Sequence, residues 1–258
     1  MPVHDLALLC DAAQMAGRVA TSFVGKTARR WEKPGDAGPV TEADLAVNDM
    51  LHSTLQLARP DYGWLSEETE DNADRLRKRD VFIIDPIDGT RSFVEGSNTW
   101  AHSLAVARDG IITAAVVYLP MRGKLYAAGL GMGATLNGAP LHVSGTANLG
   151  QATVLAARPA LAAHHWKPTQ APAFKRSYRP SLAYRLALVG EGRYDGMITL
   201  RKTWEWDIAA GALIVSEAGG RACDRTGGPL IFNSADPRLN GIVAANVPSC
   251  SAIVDALA

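Results

Sequence analysis

Neither sign of charge prevails in this sequence. Its 258 residues carry 26 lysines and arginines against 26 aspartates and glutamates. A nucleic-acid polymer or an anionic membrane needs a basic surplus, usually gathered in a patch, so both are excluded as partners. Cysteine is scarce. Cys10, Cys223 and Cys250 are odd in number and far apart along the chain. They form no metal-binding spacing and no disulfide framework, so buried thiols in a reducing cytoplasm are expected. No apolar run nears the ~18–20 residues that span a bilayer. The opening Met1-Pro-Val-His-Asp5 lacks the basic region of a secretory signal. Internal repeats and long linkers are absent. With 47% hydrophobic and 20% charged residues, the composition is that of a globular protein. The length suits one large domain or two lobes sharing a core.

Periodicity supplies the elements. From Asp5 to about Val24, Leu6, Leu9, Cys10, Ala13 and Ala20 share a helical face. Lys33-Pro-Gly-Asp-Ala-Gly-Pro39 breaks the pattern and reads as a mobile surface loop. A second helix opens with an acidic capping box, Thr41-x-x-Asp44, carries Val47, Met50, Leu51 and Leu55, and stops at Pro60. Val81-Phe-Ile-Ile84 is expected to be a strand buried on both faces. Ser103–Arg108 and Ile111–Leu119 flank Asp109-Gly110 as a hairpin, and Lys124–Ala128 reads as a further strand. Residues 158–180 show no clear pattern. Helices are expected at Ser181–Glu191 and Ile208–Ala218, the latter stopped by Gly219-Gly220. Short strands near Gly220–Cys223 and Gly241–Ala245 precede a last helix. Hairpins mixed with helices indicate a mixed α/β (α+β) layered fold. The expected division is an N-terminal lobe, 1–145, and a C-terminal lobe, 146–258.

The informative acids lie at the ends of apolar runs. Asp85 follows Val81–Ile84 directly, and Asp88 is three residues on. A carboxylate at the mouth of a buried strand costs desolvation energy unless a cation neutralises it, and two so close repel each other. A hard divalent cation would answer both problems, with the Ile87 carbonyl as a further oxygen ligand. An Asp-Pro, Asp-Gly turn is the plain alternative. Gly89 and Thr90 tip the balance: their amides could cradle a phosphate, and the Thr90 hydroxyl could orient a water. In the acidic stretch after Leu65, Glu67 is the ligand candidate, and Glu70 and Asp71 read as a solvated turn. Asp207, between Trp206 and an apolar helix, reads as a helix N-cap or a further ligand. No Ser-His-Asp or Cys-His pattern competes, and the six histidines show no ligand spacing. Gly129-Leu-Gly-Met-Gly133 is no dinucleotide loop, because Ala134 stands where the third glycine is needed.

Four motifs in register resemble those of the inositol monophosphatase family: Thr41-x-x-Asp44, Ser66-Glu67-Glu68-Thr69, Asp85-Pro-Ile-Asp-Gly-Thr90 and Trp206-Asp-Ile-Ala-Ala-Gly211. The resemblance spans roughly residues 5–250. It implies an αβαβα sandwich and a Mg2+-dependent, lithium-sensitive phosphomonoesterase. Glu67, Asp85 and the Ile87 carbonyl would hold one Mg2+, and Asp85, Asp88 and Asp207 a second, with a weaker third sharing Glu67. Glu67 and Thr90 would activate water, with Asp44 holding Thr90. The Gly89 and Thr90 amides would bind phosphate, and Lys33 would act from a mobile loop. The family also implies a homodimer.

For the ester itself, the family's inositol-contacting glutamate position is occupied here by Leu200, followed by Arg201 and Lys202. This basic pair suits a substrate with a second anionic group, or is a solvated turn. Ser181-Leu182 resembles part of a Ser-Ser-Leu-Lys stretch in 3'(2'),5'-bisphosphate nucleotidases, with Ala183 in place of the lysine and Pro180 in place of the small residue. The sequence thus favours a bisphosphate nucleotidase, with an inositol-1-phosphate or histidinol-phosphate phosphatase as alternative. A non-catalytic sugar-phosphate or metal-binding protein is the reading from another class.

Overall fold

A computed structural model describes residues 2–24, 28–32, 38–167 and 169–258. Lys33 therefore lies outside the described residues, as does most of the expected loop around it. The described helices are α1 (Pro2–Thr21), α2 (Glu42–Ala58), α3 (Thr90–Val94), α4 (Leu182–Gly190), α5 (Glu205–Glu217) and α6 (Val247–Ala256). The strands in the first half are β1 (Arg30–Glu32), β2 (Pro39–Thr41), β3 (Gly63–Ser66), β4 (Asp80–Asp88), β5 (Ala101–Arg108), β6 (Ile111–Leu119), β7 (Lys124–Gly129), β8 (Gly133–Leu136) and β9 (Ala139–Pro140). Those in the second half are β10 (Thr153–Ala156), β11 (Lys175–Ser177), β12 (Gly196–Thr199), β13 (Thr203–Trp204), β14 (Gly220–Cys223), β15 (Arg238–Leu239) and β16 (Ile242–Asn246).

Two sheets organise the molecule. One has seven strands in sequence order, β3 to β9, parallel only between β3 and β4. The other has five, ordered β11-β10-β12-β16-β14. The buried strand β4 shows how the layers arise, because successive side chains leave opposite faces of a strand. Phe82 and Ile84 join Leu104 and Val116 beneath α1 and α2, whose stripes include Leu9, Ala13, Val47 and Leu51. Val81 and Ile83 face the other way, with Ala105 and Val117, onto α4, α5 and the inner side of the second sheet. Its outer side, with Val154, Ile198 and Val243, packs on Ile253 of the last helix and on Leu257 just after it. The order is helix, sheet, helix, sheet, helix: the expected mixed α/β sandwich. Its central helix α5 is buried from Ile208 to Val215.

Three details differ from the sequence reading. Asp207 is not the N-cap of α5; the helix starts two residues earlier, after Trp204, and Asp207 sits in its first turn. The strands β10 and β12 lie at the heart of the second sheet but were not expected, because four-residue apolar runs carry little periodicity. Cys223 and Cys250 are buried free thiols as expected; the difference is that residues so distant in sequence bring their Sγ atoms within 3.5 Å.

Candidate active site

The acids of the Asp85–Asp88 stretch meet because β4 is irregular. Asp85 pairs with Ser103 of β5 and Asp88 with Ala101, so Pro86 and Ile87 together face only His102. That is a β-bulge, one extra residue on one strand. In a regular strand, residues three apart point to opposite faces. The extra residue resets that alternation, and carboxylate oxygens of Asp85, Asp88 and Asp207 all lie within 4.8 Å of one another. Asp207 arrives from the first turn of α5, which is tied to β5 by a Ser103 hydroxyl donating to the Trp206 carbonyl at 2.9 Å.

Each acid has its own setting. Asp85 is buried, and its Oδ1 has no hydrogen-bond partner among the described residues. Burial, then the charges of Glu67, Asp88 and Asp207, hold it well above the usual carboxylate range. Asp88 Oδ2 accepts from the Ser181 hydroxyl and the Ala183 amide, both at 2.6 Å, at the opening of α4. Burial nonetheless pushes Asp88 up to about 6. Asp207 is raised well above its ordinary value by burial, Asp88 and Glu67, against the opposing charges of Arg201 and Arg185. At these separations each fully charged pair would repel by at least about 3 kcal/mol for an effective dielectric constant near 20. Three converging oxygen donors, one of them orphaned, fit a hard divalent cation.

Gly89, with φ of 98°, takes the left-handed turn that opens α3 at Thr90. The Thr90 hydroxyl lies 3.1 Å from Asp44 Oδ1 and 3.2 Å from the Ile87 carbonyl, and its single proton serves one at a time. Asp44 is itself fixed by the expected capping box, accepting from the Thr41 amide at 2.9 Å. Burial raises it to about 6 against these hydrogen bonds.

These groups open onto a cavity of about 300 Å³ lined by Glu67, Asp85, Ile87, Asp88, Gly89, Thr90, Arg201 and Asp207. Asp44 reaches it through Thr90. Two expected substrate contacts need correction. Ser181 is fully buried, and its hydroxyl is committed to Asp88 and to capping α4, so it supports the site from behind. Lys202 turns away to Asp236, 3.3 Å distant, beside a neighbouring groove that shares only Glu67 with this cavity. Asp71, read as a solvated acid, pairs with the buried guanidinium of Arg75. Sequence reasoning also missed Arg91 and Tyr178 in the cavity wall. Arg91 follows Thr90 directly and was open to being read from the motif, whereas Tyr178 stands in the unpatterned segment and gave no signal. Behind Tyr178, the buried Arg185 places its guanidinium 4.4 Å from the ring centre.

A model described as the inositol monophosphatase family matches residues 3–254. An inositol-1-monophosphatase of Mesorhizobium japonicum is 35% identical over 243 residues, 86% of this chain and 86% of that protein. A histidinol-phosphatase of Chlorobaculum parvum is 31% identical over 249 residues, 94% of this chain and 92% of that protein. The solved structure of extragenic suppressor protein suhB from Bartonella henselae superposes with a TM-score of 0.84 at 29% identity, covering 98% of this chain and 97% of that one. A match over nearly the whole chain places it in the inositol monophosphatase family, as a phosphoric monoester hydrolase.

Proposed function

We propose that this protein is a Mg2+-dependent phosphomonoesterase that hydrolyses a small soluble phosphate ester with an activated water, and that the ester is a nucleoside 3'(2'),5'-bisphosphate. One observation carries the catalytic reading: the carboxylates of Asp85 and Asp88, both buried, and of Asp207, half-buried, converge at one cavity, and one oxygen of Asp85 has no hydrogen-bond partner among the described residues. Asp85, Asp88, Asp207, Glu67 and the Ile87 carbonyl would hold two Mg2+ ions, with a third sharing Glu67. Bound there, the ions would neutralise charge on the transferring phosphoryl group and acidify a water.

The chain's own groups do the rest. Glu67 faces the cavity and takes the proton of the attacking water. Thr90 donates a hydrogen bond from its hydroxyl to Asp44, which leaves the oxygen's lone pairs free to accept from that water. The Gly89 and Thr90 amides receive phosphate oxygens. The capping box of α2 fixes Asp44, and donors at the opening of α4 fix Asp88, so little reorganisation is needed as charge moves.

The substrate class rests on the wall facing the acids. Arg201 supplies a cation, and Tyr178, stacked on Arg185, supplies a flat ring at the rim. Together they suit a leaving group with a planar base and a second anionic group. The 35% identity to an inositol-1-monophosphatase supports inositol 1-phosphate as the second reading. Leu200, apolar and buried, speaks against it. No helix among the described residues is long and apolar enough to cross a membrane. A cytoplasmic homodimer completes the proposal.

The test is Mg2+-dependent phosphate release from adenosine 3',5'-bisphosphate, inositol 1-phosphate and histidinol phosphate. We expect the highest kcat/KM for the bisphosphate. A clear preference for either other ester would overturn the substrate class and leave the phosphatase. Release from none of the three, with Mg2+ bound, would favour a binding protein.

A further inference from the structure

His102 stands on β5 at the one position where the ladder to β4 slips. Two residues, Pro86 and Ile87, face it across the strands. A bulge of this kind disrupts the local ladder, and a buried carbonyl must then find another donor. The Pro86 carbonyl finds it in the imidazole: His102 Nδ1 is its hydrogen-bond partner. The ring is fully buried, edge-on to Trp100 at 5.4 Å between centroids. Its other nitrogen, Nε2, has no hydrogen-bond partner among the described residues. An apolar side chain would fill this space without leaving a nitrogen unsatisfied. What the imidazole adds is its single bond, made to the centre of the Asp85–Asp88 stretch.

The consequence runs along two peptide units. Holding the Pro86 carbonyl fixes the plane of the Pro86–Ile87 peptide. The next carbonyl, that of Ile87, then points to the cavity side, within 3.2 Å of the Thr90 hydroxyl. Asp85 and Asp88 flank this pair and depend on the same bulge for facing one way. We infer that His102 is a positioning residue for the metal-binding turn, its Nδ1–H replacing the strand donor that the bulge removes. The inference rests on the reading that Asp85, the Ile87 carbonyl and Asp88 hold the ion.

Two substitutions separate positioning from packing. His102→Asn places an amide N–H at the same branch point as Nδ1, whereas His102→Leu keeps bulk and removes the donor. Titration calorimetry of each purified protein with Mg2+, and again with Mn2+, is the readout. Outer-shell partners of metal ligands typically change affinity by 10–100-fold, so H102L should bind about tenfold or more weakly while H102N stays within about threefold of wild type. The melting temperature of the metal-free proteins reports any purely structural effect separately. If H102L binds like wild type, or H102N loses affinity as H102L does, the positioning role is overturned. If wild type binds neither ion, the metal reading itself falls and the inference with it. A variant-free check is the 15N spectrum of labelled histidine: the Nδ1–H tautomer is expected for His102, and an Nε2–H tautomer would overturn the proposal even if H102L fails to fold.

Discussion

Asp44 binds its proton more tightly in the folded protein than in the unfolded chain, with a pKa of about 6 against an ordinary 3.8. Its favourable contribution is complete below the ordinary value and is lost as pH rises through about 6. Asp88 behaves alike, and Asp85 and Asp207 move in the same direction. His102 opposes them, since burial pushes it down to about 4 and favours the folded state as pH rises toward the ordinary histidine value. Four raised acids outweigh one lowered base, because each tenfold change in proton affinity is worth about 1.4 kcal/mol. The metal-free protein should therefore melt at a higher temperature at pH 5.5 than at pH 7.5. Thermal denaturation after chelation checks this, and a lower melting point at pH 5.5 would refute it. Bound Mg2+ should reverse the trend, because the ion competes with protons for the same oxygens. The acids themselves could be read from sequence, since a carboxylate closing an apolar run needs a physical reason. The roles of Ser181 and His102 could not. Each depends on a polar group from a distant segment that needs a partner, and no local pattern records that need.

Among elements, α5 packs closely on α4. Gly211, the last residue of the Trp206–Gly211 motif, lies against Leu186 of α4, and a Cβ there would collide with that side chain. Its role is closeness of two helices, not flexibility. Gly211→Ala should cost about 1–3 kcal/mol, the usual range for overpacking a dense core. It should also weaken Mg2+ binding, because α5 and α4 bear Asp207 and the Asp88 donors. Urea denaturation with and without Mg2+ measures both effects. Elements with strong local signals were readable. The hairpin at Asp109-Gly110 formed as expected, with φ of 51° and 82° suited to its tight turn. Strand β11 lay hidden in residues 158–180, where short helical turns and prolines break any period.

At the scale of the molecule, the candidate ion site joins the two sheets through the helices between them. Asp85 and Asp88 belong to the seven-stranded sheet, and Asp207 to the helix that separates it from the five-stranded one. An ion held by all three links these layers and stabilises only the folded state. At a Mg2+ concentration 100-fold above Kd, linkage gives about 2.7 kcal/mol, or roughly 5–11 °C in melting temperature for a chain near this size. Differential scanning calorimetry across a Mg2+ series tests it; a melting point indifferent to Mg2+ would argue against a shared site. That helices and sheets form layers was readable from hairpins mixed with helices, and the order of the layers came from the family resemblance. How the layers meet was not, because that is set by contacts between segments far apart in sequence.

The bulged strand and α5 also impose an order in time. Synthesis runs from the amino terminus, so β4 leaves the ribosome with its two acids well before α5 exists. Until Asp207 follows, the inner face of the first sheet lacks its central helix and its acids lack their third companion. Ion capture is thus a late event in the life of each chain. A nascent chain halted before Trp206 can neither close its core nor assemble the three carboxylates.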